Sequence, residues 1–91
     1  MLTINTASPA ESYFKRLPPK HRRQVSERIL KLAENPKASD TRLLRGYEYY
    51  YRADIGEHRI IYRFTRAILF VDLIGKRNDD DIYRRMKRLR G

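Results

Sequence analysis

From Leu43 onward the hydrophobic pattern leaves the helical period of the preceding segment and alternates residue by residue, which commits the middle of this chain to a sheet. Tyr47, Tyr49 and Tyr51 are expected on one face of a first strand, with Glu48, Tyr50 and Arg52 on the other. Asp54-Ile55-Gly56-Glu57 reads as a tight connection. A second strand, Glu57 to Phe64, places His58, Ile60, Tyr62 and Phe64 on one side and Arg59, Ile61 and Arg63 on the other. Thr65-Arg66 is the candidate hairpin loop, although it lacks the usual glycine or asparagine. Ala67 to Ile74 is the most apolar stretch and has the composition of an interior strand that ends at Gly75.

Helices bracket this meander. Leu2 to Thr6 alternates as a short edge strand, and Ser8-Pro9-Ala10-Glu11 carries a capping-box signal for a first helix with Tyr13, Phe14 and Leu17 on its apolar stripe. Pro18-Pro19 ends it, because the residue before a proline is pushed out of helical geometry. A second helix runs from about Pro19 to Glu34, with Val25, Ile29 and Leu32 on one face, and Asn35-Pro36 closes it. At the other end of the chain, Asn78-Asp79-Asp80-Asp81 supplies a cap and dipole-favoured negative charge for a last helix. Its stripe is Ile82, Met86 and Leu89, surrounded by Arg84, Arg85, Lys87, Arg88 and Arg90. The predicted fold is α+β: an N-terminal strand, a helical hairpin, a three-stranded antiparallel meander and a C-terminal helix.

Ninety-one residues predict one domain spanning 1–91, since a chain this short cannot support two cores. Lysine and arginine number 21 against 11 acids, and the net charge of +10 favours a polyanionic partner because each neutralised phosphate releases counterions. Self-repulsion in so basic a domain also means that an acidic partner would stabilise it. No cysteine is present, which excludes a disulfide framework and suits the cytoplasm. No apolar run approaches the roughly 18 residues of a membrane span, so no membrane partner is expected.

The same sequence narrows the chemistry. His21 and His58 stand apart from any paired carboxylate, so no metal or other cofactor is expected, and both read as ordinary surface or strand residues. No serine sits in an elbow beside a histidine, and the four glycines form no phosphate loop. Asp79 to Asp81 reads as helix capping, because consecutive carboxylates on one helical turn point in different directions. Tyr50 is the tyrosine most open to a ligand, the odd-numbered ones being assigned to packing.

Arginine placement is more specific than arginine number. Arg52 and Arg59 flank the short turn on neighbouring strands, Arg77 follows the end of the next strand, and Tyr83 lies in the closing helix. Guanidinium groups pair bidentately with phosphate oxygens, and several around one phosphate stabilise a phosphorane more than its ground state. The set predicts a phosphate-handling site without a carboxylate base.

The order of these pieces, a strand with HRIIYRF, an apolar strand, then IGKRNDDDIY and a basic end, resembles the RelE branch of the RelE/ParE toxin superfamily over almost the whole chain. The resemblance implies a ribosome-dependent endoribonuclease that cleaves messenger RNA in the decoding site and is neutralised by a small, acidic, RelB-like antitoxin. Arg59 matches the arginine of the family's GYR-type motif, Arg77 the arginine of its GKR motif, and Tyr83 the tyrosine of its last helix. Arg52 replaces a lysine common on the first meander strand, Tyr50 replaces a second lysine, and His58 replaces the motif tyrosine. The implied site has Arg59, Arg77, Tyr83 and Arg52 as catalytic residues and Tyr50, Lys76 and Arg84 as substrate contacts. The messenger's own 2′-hydroxyl would attack the adjacent phosphate, with Tyr83 as proton acceptor or stacking platform. A ParE-like gyrase inhibitor and a non-enzymatic RNA- or ribosome-binding module are the alternatives.

Overall fold

A computed structural model describes residues 1–78 and 81–90, and for 81, 89 and 90 the backbone alone. The elements are β1 (Thr3–Thr6), α1 (Ser8–Lys15), α2 (Pro19–Glu34), β2 (Arg42–Leu43), β3 (Tyr51–Ile55), β4 (His58–Phe64), β5 (Ile68–Lys76) and α3 (Asp81–Arg90). The strands form one five-stranded sheet ordered β1-β5-β4-β3-β2, in which β1 runs parallel to β5 and every other pair is antiparallel. This is the α+β arrangement expected of the alternating and helical segments.

Two apolar layers lie on the two faces of the sheet. Val25, Ile29 and Leu32 of α2 and Ala10 of α1 pack on Ala53, Ile60, Tyr62, Leu69, Val71 and Ile74. Ile61 and Leu73 face the opposite way and meet Leu44 with Ile82 and Met86 of α3. A register shift between Ile61 and Tyr62 inserts an extra residue in β5, so that Tyr62 pairs with Val71 but Ile61 with Leu73. The residue left over is Asp72, whose carboxylate accepts from Arg63 Nε at 2.9 Å. Burial pushes its pKa up against the opposing pull of Arg63.

Several local expectations are corrected. The first meander strand is not continuous from Leu43: β2 and β3 are separate strands paired with each other, and 44–50 is a turn. Gly46 and Tyr49 have left-handed φ values of 85° and 68°, which extended alternation cannot accommodate, and Leu44 N–H donates to Tyr50 O at 2.7 Å to close the turn. Tyr47, Tyr49 and Tyr51 therefore share no face. Tyr51 stacks on Tyr62 at 5.7 Å, Tyr47 joins the α3 layer, and Tyr49 is 78% exposed.

The capping box at Ser8 does not form. Ala7 is the N-cap, and its carbonyl accepts from Glu11 N–H at 3.0 Å. The loop between β4 and β5 contains three residues rather than two, and Thr65 Oγ1 accepts from the N–H groups of Ala67 and Ile68. A side-chain turn replaces the missing glycine there. β5 continues past Gly75 to Lys76. The cap expected at Asp79 to Asp81 and the helix positions of Leu89 and Arg90 lie outside the described residues or side chains. Among the described residues no helix is long and apolar enough to cross a membrane.

Candidate functional site

The β3–β4 hairpin turns at Gly56, whose φ of 56° is the left-handed conformation that a glycine supplies without steric cost. The resulting register sets Asp54 directly opposite Arg59 on the sheet face away from α1 and α2. Arg59 consequently donates to the Asp54 carboxylate twice, from Nε at 2.8 Å and from Nη2 at 3.3 Å. Its remaining nitrogen, Nη1, donates to Tyr83 Oη at 3.3 Å.

Tyr83 reaches this position because α3 lies close to the sheet. Arg59 is paired with Gly75 on its other side, and a Cβ there would come within 3.2 Å of Ile82 Cδ1 and 3.3 Å of Arg85 Nη1. Ile82 and Met86 bury the helix against Leu73, and Arg85 Nη1 donates to the carbonyl of Ile74 at 3.1 Å. Arg77 enters from the turn after β5. Its backbone N–H donates to Glu57 O at 2.8 Å, and its Nε lies 3.3 Å from Asp54 Oδ2.

One carboxylate thus holds two guanidinium groups, and they differ in freedom: the Arg59 side chain is 12% exposed and that of Arg77 52%. Donation to the Asp54 carboxylate raises the pKa of Arg59 further, against the effect of burial. Among the described residues the local balance remains positive. An anion can therefore be drawn to the Arg77 side of the cluster, where a phenol and a fixed guanidinium already stand.

The expected site residues divide into two groups. Arg59, Arg77 and Tyr83 converge, linked by Asp54. Arg52 lies beside them on the same face, in register between Arg42 and Ile61, and its side chain makes no hydrogen bond or ion pair among the described residues. Tyr50 is partly buried in the α3 layer, with its ring 6.5 Å from that of Tyr47. Arg84 is exposed on α3. Lys76, paired with His58, lines a groove between α1 and α3, with Ser12, Tyr13 and Arg16 on one side and Gly75, Ile82 and Arg85 on the other.

Asp54 is the member of this cluster that the sequence does not single out, and it pairs with both Arg59 and Arg77. Its signal was available: two positions after Arg52 in an alternating segment, and across a glycine turn from Arg59. The opposite face holds a separate polar chain. Tyr13 Oη lies 3.0 Å from His58 Nδ1, and His58 Nε2 lies 2.8 Å from His21 Nδ1. Burial and the neighbouring His21 lower the pKa of His58, so this histidine is a buried strand residue. Among the described residues no His, Asp and Glu side chains gather as a metal site.

Residues 6–81 match the family model described as ParE toxin of type II toxin-antitoxin system, parDE. No curated protein matches the sequence. The isolated E. coli RelE toxin superposes with a TM-score of 0.74 at 20% identity, covering 98% of this chain and 99% of that one. The intact E. coli RelBE toxin-antitoxin complex is similar at TM-score 0.75 and 19% identity, covering 87% of this chain and all of that one. The RelBE2 toxin-antitoxin complex of Mycobacterium tuberculosis gives 0.71 and 22%, covering 84% of this chain and 98% of that one.

Proposed function

This chain belongs to the ParE toxin family of type II toxin-antitoxin systems, and within that toxin class we propose, on the geometry of its site, that it is a ribosome-dependent endoribonuclease which cleaves messenger RNA without a metal ion. The observation that carries the reading is the convergence of Arg59 and Tyr83 at 3.3 Å with Arg77 tied to the same carboxylate. In the reaction the 2′-oxygen of the messenger attacks the adjacent phosphorus and the bond to the 5′-oxygen breaks. The products are a 2′,3′-cyclic phosphate and a 5′-hydroxyl end. Arg77 and Arg59 stabilise the charge that develops on the phosphorane, and Arg52 anchors the neighbouring backbone.

Tyr83 has two roles open to it, proton acceptor for the 2′-hydroxyl or stacking platform for the base. Tyr83→Phe separates them, since it keeps the ring and loses the proton acceptor. Tyr50 and Arg84 extend the substrate surface, and Lys76 contributes to it from the groove between α1 and α3. The whole of 1–91 acts as one toxin domain in the cytoplasm. The similar RelBE structures pair a RelE toxin with its antitoxin, and a small acidic RelB-like antitoxin lying across the basic face is the partner proposed here.

The test is cleavage of messenger on programmed ribosomes, with end analysis of the product. Wild type is expected to cut, and Arg77→Ala is expected to cut at least about a hundredfold more slowly, the scale of losing one oxyanion-type donor. Cleavage by Arg77→Ala at the wild-type rate would overturn the site assignment. The name of the matching family favours the second reading, gyrase inhibition, and a wild-type block of plasmid supercoiling without messenger cleavage would establish that instead.

A further inference from the structure

Asp54 has no task in the reaction just described, yet it occupies the centre of the site. Its carboxylate takes the Nε–Nη2 edge of Arg59, the edge a phosphate would use for bidentate pairing, and reaches Arg77 with the same Oδ2. The two clamps are unequal. Arg59 is nearly buried and donates twice to Asp54, whereas Arg77 is half exposed and, among the described residues, approaches Asp54 through Nε at 3.3 Å without a hydrogen bond. An exposed single-point ion pair contributes little net stability, so the Arg77 half of the clamp exchanges for another anion at low cost.

We propose that Asp54 is an internal occupant of the phosphate position: it holds Arg59 and Arg77 together in the free protein, and the scissile phosphodiester replaces it on Arg77 while Arg59 stays clamped. The inference rests on the nuclease reading and adds a gate to it. Asp54 keeps Arg59 in place beneath Tyr83, which makes it a positioning residue, and it opposes the entry of any phosphodiester that is not presented in register. Free RNA then competes with an internal carboxylate for Arg77, whereas a messenger strand held in place by the ribosome does so at high local concentration. A weak affinity for free RNA follows, in spite of the +10 charge.

The experiment uses a short, non-cleavable 2′-O-methyl RNA oligonucleotide and the full chain. Asp54→Asn, isosteric and neutral, is expected to bind it at least about tenfold more tightly than wild type at low salt, because one like charge beside the phosphate is gone. Turnover on programmed ribosomes is expected to fall in the same variant, since Arg59 loses its clamp, which splits affinity from rate. Titration of the wild type with the oligonucleotide, followed by the arginine Nε–H resonances, is expected to shift Arg77 and leave Arg59 in place. That measurement stands even where Asp54→Asn fails to fold.

Unchanged affinity in the folded variant, or equal movement of both arginine signals in the wild type, overturns the proposal. So does an Asp54→Asn enzyme that binds as wild type does but has lost the acid limb of its pH–rate profile, which would make Asp54 the base. The binding and resonance readouts require no cleavage. Tighter binding by Asp54→Asn beside a wild type that leaves the messenger intact would therefore refute the nuclease reading and leave Asp54 as an internal anion.

Discussion

Ile82→Ala tests whether the placement of Tyr83 depends on the docking of α3. Ile82 is 2% exposed and packs with Leu44, Ile61, Leu73 and Met86 above Gly75. Truncation to alanine removes three buried carbons and leaves a cavity, at a cost of about 2–4 kcal/mol. The loss should be local. α3 has ten residues, fewer than the roughly 12–15 at which an isolated helix becomes even marginal, so an undocked α3 also melts. Its other attachments described here are Met86, the Tyr83–Arg59 hydrogen bond and the Arg85 bond to Ile74 O. The amides of α3 are expected to exchange about 30- to 1,000-fold faster, which is the same free energy at about 1.4 kcal/mol per factor of ten. Amides of β4 and β5 keep wild-type protection, because the Val25–Ile60–Tyr62 layer on the other face is untouched. Turnover falls with the fraction of molecules in which α3 is undocked. Native-state hydrogen exchange reads this directly: unchanged protection in α3, or equal acceleration in α3 and β5, would refute the argument.

Two further outcomes follow from the same geometry. His58 has a folded pKa below its ordinary value of 6.5, so the unfolded chain binds the extra proton first. Stability is full above that value and is lost as the pH falls from 6.5 through the folded pKa. The thermal midpoint of wild type should drop between about pH 7.5 and about pH 5.5, and that of His58→Gln should drop less; identical slopes would remove His58 as the cause. Gly56→Ala forces a side chain into φ +56° at the hairpin turn and should cost about 1–2 kcal/mol, read from denaturant midpoints at constant m. A neutral result would mean that the turn relaxes, and the Asp54–Arg59 register would then rest on the strands alone.

What the amino-acid order determined by itself is local. The spacing of Val25, Ile29 and Leu32, the prolines at 18 and 19, and the alternation from His58 to Phe64 set helices, strands and their faces, because period and steric exclusion act over a few residues. Arg59, Arg77 and Tyr83 were legible as chemistry through motif resemblance. Distance between them was not legible, for Arg59 and Tyr83 are 24 residues apart and meet where α3 packs closely over Gly75. Tertiary structure alone decided that Tyr49 turns outward from a left-handed bend, that β1 pairs in parallel with β5, and that Lys76 lines a groove between α1 and α3. It also placed Asp54 against both Arg59 and Arg77. A carboxylate in a turn signal is indistinguishable from any solvated one until cross-strand register places it opposite an arginine, and register depends on contacts between segments distant in sequence.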